Sequence, residues 1–267
     1  MPFTAKSGKF NASINTVEFG TGDKAVKIGG ENVFPLYSFD AAIENAPKVG
    51  IEITDFGMEH EPECIKKYYE GCATLADMAR KAASMEGVDF LSFRMEGGDP
   101  NGANKSTEEL IGELKEIADA VDLPLVVCGC KNVEKDAELF SKAAEALNGK
   151  NAVILSAKEE NYKTVGAAAG PAYKQIVGAE SAVDINLAKQ LNVLISQLGV
   201  DSKSVVMNVG SAAVGYGFEY VISTMDRVKA AALQQGDANL QMPIITPVAE
   251  EAWNVKEAMA SEEDMPE

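Results

Sequence analysis

The sequence has one histidine, four cysteines and one tryptophan in 267 residues, and its cations are outnumbered. Each shortage excludes something. With His60 alone, a site built from several imidazoles cannot form, and no His–carboxylate pair exists elsewhere. Cys64, Cys72, Cys128 and Cys130 are too sparse to staple a chain of this length, so a reducing, cytoplasmic compartment is expected. No apolar run reaches the ~18 residues of a membrane span. The opening Met1-Pro2-Phe3-Thr4-Ala5-Lys6 lacks the pattern of a secretory leader. Lys and Arg number 24 against 41 Asp and Glu, a net charge of −17. Such a surface repels phosphate backbones and anionic lipid, so neither nucleic acid nor membrane is an expected partner. There is no Walker loop and no nucleophile elbow.

What is present is a repeated order of elements. Short apolar runs alternate with amphipathic stretches: Gly50–Asp55, Val88–Met95, Pro124–Gly129, Ala152–Ser156, Gln175–Gly178, Ser204–Asn208 and Pro243–Thr246. Between them, Leu110, Leu114, Ile117 and Val121 share one helical stripe, and Val133, Ala137, Phe140, Ala144 and Leu147 share another. Ser106 precedes Glu109 by three residues and Ser156 precedes Glu159 likewise, the spacing of a capping box. Ser181 with Asp184 is a weaker version, and Thr246-Pro247 offers a cap followed by proline. Gly149 and Gly199 fit helix ends.

Strands regularly followed by helices predict an α/β fold with a parallel sheet, here a TIM-type (β/α)8 barrel. Closure needs an eighth strand. After Pro243–Thr246 come a helix with Val248, Ala252, Val255 and Met259 and the acidic stretch Ser261–Glu267, and no strand follows. Either the last βα unit is lacking, or the first segment helps to close the barrel. That segment alternates over Ala12–Phe19, with Ile14, Val17 and Phe19 among polar residues, and Ala25–Ile28 with Gly29-Gly30 reads as strand and turn. Residues 1–47 are therefore expected to form a β-hairpin-like extension packed on a barrel domain of residues 48–267, with Pro35 and Pro47 punctuating the lead into the first barrel strand.

In a barrel, chemistry sits on loops leaving the C-terminal strand ends. The run from Asn208 through Gly210, Ser211, Gly215, Tyr216 and Gly217 to Tyr220 is the most distinctive, because its small residues leave bare backbone that a large flat ligand could approach. It also fits an ordinary tight strand-to-helix turn. Arg94 ends an apolar strand and either points into the mouth or pairs with an acid such as Glu52; pairing is the expectation, since a buried guanidinium is costly unless matched. Cys128-Gly129-Cys130 and the Cys64/Cys72 pair match neither zinc nor ferredoxin spacing, so no metal site is expected. His60 among acids reads as solvated surface. Lys158-Glu159-Glu160-Asn161-Tyr162-Lys163 reads as the first turn of a helix, with Lys158 open as a Schiff-base former.

The run Gly215-Tyr216-Gly217-Phe218-Glu219-Tyr220, followed by Ser223-Thr224-Met225-Asp226-Arg227, resembles a family segment Gly-Tyr-Gly-x-Glu-Tyr and Ser-x-Met-Glu-Arg. Collinear matches run from Asp184 to Asn192, from Glu159 to Lys163, over Lys135-Asp136, and over Glu251-Ala252-Trp253 with Lys256-Glu257-Ala258. Together, from about Val49 to Ala260, they are similar to the small (delta) subunit of the corrinoid iron–sulfur protein of the acetyl-CoA synthase/CO dehydrogenase system. The sequence departs from that family at Asn208-Val209-Gly210-Ser211-Ala212, where Asp-Pro-Thr-Thr-Gly is usual, and family members continue into a further strand and helix.

The resemblance implies a barrel subunit without its own iron–sulfur cluster. Its mouth would lie over a corrinoid (cobalamin) shared with a large subunit in a heterodimer of anaerobic carbon fixation. The methyl group would come from methyltetrahydrofolate through a methyltransferase and go to acetyl-CoA synthase/CO dehydrogenase. Asn208, Gly210, Ser211, Gly215, Tyr216 and Gly217, with Arg94 and Asn161, are the expected cofactor-facing residues, and no residue is assigned a catalytic role. A free-standing pterin-dependent methyltransferase-type barrel is the competing reading, with Asp55, Asn161 and Asn208 as its polar set.

Overall fold

The structure, a computed structural model, describes residues 8–34, 41, 43–253, 255–257, 260–261 and 263–264. Two short strands open the chain, β1 (Val17–Phe19) and β2 (Val26–Ile28), paired antiparallel with Phe19 opposite Val26. Six parallel strands follow: β3 (Gly50–Thr54), β4 (Phe90–Arg94), β5 (Leu125–Cys128), β6 (Val153–Ala157), β7 (Ile176–Glu180) and β8 (Val205–Asn208). Each is bonded to the next in chain order. That strictly sequential parallel order is the order of a (β/α) barrel.

The strands read as nearly continuous apolar runs because both faces are covered. On the outer face Leu91, Phe93, Leu125, Val127, Ile154, Val205 and Met207 pack under the helices. On the inner face Val126, Val153, Leu155, Ile176 and Val206 meet Val17, Phe19 and Val26 of the hairpin. The helices are α1 (Glu63–Tyr68), α2 (Leu75–Ala83), α3 (Thr107–Ala120), α4 (Val133–Ala146), α5 (Tyr162–Ala167), α6 (Ile185–Gln197), α7 (Phe218–Gln234) and α8 (Val248–Trp253). Among the described residues no helix is long and apolar enough to cross a membrane.

The local signals fare unevenly. Ser106 caps α3, accepting from the Glu109 amide at 3.1 Å, and Leu110, Leu114 and Ile117 are buried as the stripe requires. Gly149 and Gly199 end their helices with φ of 84° and 90°, which glycine adopts without strain. Ser156 is not a cap. It lies within β6, its hydroxyl accepting from Asn208 Nδ2 at 3.0 Å, and α5 starts only after Asn161. At α6 the cap is Asp184 itself, which bonds the amides of Asn186 and Leu187. Two helices fill what reads as the first loop, and α2 opens with a capping box of Thr74 and Asp77. The final helix ends at Trp253, short of Val255, while Met259 and Ala258, like Pro35, lie outside the described residues.

The extension supplies no strand to the barrel sheet among the described residues. Its hairpin instead stops the N-terminal end, Phe19 lying edge-on to Phe90 with ring centroids 5.6 Å apart. The seventh barrel strand shrinks to one parallel bridge, Ile244 beside Met207. Between it and β3 an apolar cavity of about 540 Å³ opens on the flank, walled by residues that include Gly50, Phe90, Val126, Ile244 and Ile245.

The hairpin's role has a measurable consequence. Phe19→Ala should cost ~3–5 kcal/mol, the usual toll for emptying a buried aromatic site. In urea unfolding the midpoint should fall with the slope unchanged; an unmoved midpoint would mean that the hairpin does not hold the barrel floor.

Candidate functional site

One layer below the mouth the barrel interior changes from apolar to polar. The inward positions that end the strands are Arg94, Cys128, Glu180 and Asn208, and they line a pit of about 330 Å³ together with Gly129, Lys131, Asp136, Ser156, Lys158, Gly210 and Ser211. This volume sits at the small end for ligand sites. It takes a side chain or a small molecule; a macrocycle can only rest across its rim.

Arg94 and Glu52 form the foundation. The guanidinium Nε and Nη2 donate to the two Glu52 carboxylate oxygens, each at 3.0 Å, across neighbouring strands. Burial works against the charge of Arg94, but Cys128 and Glu52 beside it outweigh that and hold its pKa above the ordinary value. The expected pairing with Glu52 is therefore what the structure shows.

Cys128 is buried beside Arg94 with its Sγ 3.4 Å from Ser92 Oγ, and burial pushes its thiol up to about 11. Burial likewise pushes Cys130 up to about 12; its thiol and amide both donate to Asp136 Oδ1, at 3.2 and 2.7 Å. Both thiols are protonated at neutral pH, so neither is poised as a nucleophile or metal ligand. Among the described residues, no three or more His, Cys, Asp and Glu side chains gather to hold a metal ion. Lys158 is engaged by Glu180 at 3.3 Å, and His60 lies against Phe56 with ring centroids 4.8 Å apart.

On the far wall, Asn208 is fixed at both ends: Nδ2 donates to Ser156, and Oδ1 accepts from the Gly210 amide at 3.0 Å. Gly210 takes φ 90°, and a Cβ there would lie 3.5 Å from the Ala182 backbone. Ser211 Oγ is buried without a hydrogen-bond partner among the described residues. A buried hydroxyl left so is costly unless something else bonds it. Beyond it the loop rises into solvent. Val214 is 82 % and Tyr216 58 % exposed, and nothing lies within 4 Å of where a Gly215 Cβ would be. Gly217, at φ 114°, starts α7 in a conformation that L side chains rarely adopt.

The expected residues thus divide. Arg94, Asn208, Gly210 and Ser211 share the pit, whereas Gly215, Tyr216 and Gly217 form its exposed rim. Asn161 stands apart, its amide spanning the Lys158 N–H and the Val133 carbonyl at 2.8 and 3.2 Å. Asp55 is also occupied, accepting from the Gly97 amide and pairing with Lys105 at 3.0 Å. Asp136, Lys131 and Glu251 are pit residues that were not among the expected site residues, although Asp136 and Glu251 lie in matched segments. Lys131 sits in the loop beyond the inward end of β5 and Asp136 in the first turn of α4, and only those places could have marked them.

Fold and mouth together define the class: a parallel (β/α) barrel with a polar binding mouth and small-residue rim. The chain belongs to the CO dehydrogenase/acetyl-CoA synthase delta subunit family, whose sequence profile matches residues 16–263. It is 32 % identical over 251 residues to the acetyl-CoA decarbonylase/synthase complex subunit delta of Methanothermobacter thermautotrophicus, covering 93 % of this chain and 63 % of that protein. The subunit delta of Methanopyrus kandleri is 33 % identical over 240 residues (89 % and 59 %). That of Archaeoglobus fulgidus is 31 % identical over 245 residues (90 % and 53 %). The chain therefore spans less than two thirds of the length of these relatives.

Two outcomes test the geometry. Arg94→Met strands Glu52 inside the barrel and should cost ~3–5 kcal/mol, while the double variant with Glu52→Leu should recover most of it; equal losses in both would deny the pairing. Cys128 carries a folded pKa of about 11 against an ordinary 9.0, so its proton contributes stability that is complete below pH 9 and is lost as pH rises through about 11. Urea midpoints of the native chain should fall across that window more steeply than those of Cys128→Ala, and parallel slopes would contradict the burial.

Proposed function

We propose that this chain is the small subunit of a heterodimeric corrinoid iron–sulfur methyl carrier, with its barrel mouth resting over a corrinoid bound mainly by the larger subunit. The carrier would take a methyl group from methyltetrahydrofolate through a methyltransferase and deliver it to acetyl-CoA synthase. The observation that carries this reading is the mouth itself. A compact rim of Ser211, Ala212, Ala213, Val214 and Gly215 stands over a pit whose Cys128 thiol is protonated, and one rim hydroxyl has no partner among the described residues.

The residues present fit a flat macrocycle edged with carboxamides. Such an edge can bond the orphan Ser211 Oγ, and the open ground at Gly215 lets a broad ring approach the backbone. The corrinoid supplies the cobalt chemistry; this chain's part is to bind, orient and keep out water. Ser211 and the Gly210 turn would position the ring edge, Val214 and Tyr216 would cover apolar surface, and the Arg94–Glu52 pair would keep the floor rigid. The pterin reading is less well supported, because Asp55 and Asn161 are spent on the fold and do not meet Asn208 at the mouth.

The test is reconstitution with the large subunit. Gly215→Trp should lose corrinoid or slow methyl transfer by at least tenfold, and Ser211→Ala should weaken corrinoid retention severalfold while the barrel stays folded. Unchanged retention and rate in both variants would remove the mouth from the cofactor. Calorimetric binding of methyltetrahydrofolate by the chain alone would favour the pterin enzyme instead.

A further inference from the structure

The last helix does not behave like the others. From α2 to α7 each helix packs on its successor around the barrel, but α8 packs extensively on no other element among the described residues. It lies at the mouth instead. Pro247 and Glu251 form part of the pit wall, while Val248 and Ala249 face the flank cavity, so the helix partitions the two spaces.

Among its described side chains, little holds the helix there. It is six residues long, too short to be stable alone, and none of its described side chains is buried. Among the described residues it is tied by the ion pair Lys131 Nζ–Glu251 Oε1 at 3.2 Å, with the two side chains 54 % and 34 % exposed. A second contact follows it: Glu257 lies near the Tyr216 phenol on the rim and raises its pKa. The ion pair crosses the pit to the loop after β5, whereas the Tyr216 contact reaches the neighbouring loop, after β8, beside the strand position that leads into α8. Both are polar and face solvent, so salt and competing partners weaken them.

We infer that α8 with Pro247 is a strap across the barrel mouth, latched by Lys131 to Glu251, and that its release opens the pit to whatever the mouth binds. The inference rests on reading the mouth as the ligand-facing end and adds a regulation of that site. An exposed ion pair favours one arrangement by a factor of about five at most, which suits a latch that must open. A ligand lying across the rim would meet Tyr216 first and so compete for its contact with Glu257.

Cys128 reports the state of the strap, because its side chain lines the pit beneath the helix. Cys130 is buried outside the pit wall and Cys64 is exposed, so they serve as internal references. With a maleimide at one fixed pH, Lys131→Met and Glu251→Gln should speed modification of Cys128 up to about fivefold. The charge swap Lys131→Glu with Glu251→Lys should restore the slow rate, and raised salt should speed the native chain but not the two single variants. Equal Cys128 rates in all forms would overturn the strap. So would Cys130 accelerating in step with Cys128, the mark of general loosening. The readout needs no corrinoid, so a strap that responds as stated, beside corrinoid retention and methyl transfer that Gly215→Trp and Ser211→Ala leave unchanged in the reconstituted heterodimer, would sink the methyl-carrier reading alone.

Discussion

The buried pair of Arg94 and Glu52 is the interaction on which the working end of this barrel depends. Two charges removed from water must satisfy each other, and here they do so through two bonds of 3.0 Å between adjacent strands. Below them the interior is filled by aliphatic side chains and the hairpin's Phe19. Above them begins the polar pit. The pair therefore marks the boundary at which the barrel stops being core and becomes a site, and burial beside it keeps the Cys128 thiol protonated although Arg94 pulls the other way.

Much of this was legible in the residues. Apolar runs spaced along the chain mark the strands, and the stripe of Leu110, Leu114 and Ile117 marks the buried side of α3. The Arg94–Glu52 pairing follows from cost alone, since a guanidinium ending an apolar strand needs a carboxylate and Glu52 lies inward on the neighbouring strand. Other features escaped because a short motif carries no information about depth. Ser156 and Glu159 have capping spacing, yet β6 runs one residue further and turns the serine inward to Asn208. Asn161 looks like a ligand-facing amide, yet both its ends are taken by main chain. The place of α8 could not be read at all: an amphipathic pattern tells that a helix forms, not that its neighbours leave it across a mouth.

The same comparison separates what this chain does for itself from what it offers to others. Asp55, Asp136, Gln175 and Asn161 are polar and buried, and each is spent on tying a loop or strand end in place. Among the described residues Ser211 Oγ is, like Ser181 Oγ, Asn192 Oδ1 and Glu113 Oε2, buried with nothing to bond, and of the four it is Ser211 that lines the pit. Beside it Val214 and Tyr216 expose apolar surface that a folded chain gains nothing by displaying. An unpartnered hydroxyl in the pit wall and exposed apolar surface at the rim are what a barrel needs when the reactive group belongs to a neighbour.

The central claim is that this rim meets a corrinoid held by a partner subunit. Hydrogen exchange along the chain, with and without the corrinoid-loaded large subunit, tests it most directly. The account expects slowed exchange across 208–217, with the outer surfaces of α3 and α4 unchanged. Protection confined to those outer helices, with the rim exchanging as freely as in the isolated chain, would contradict it.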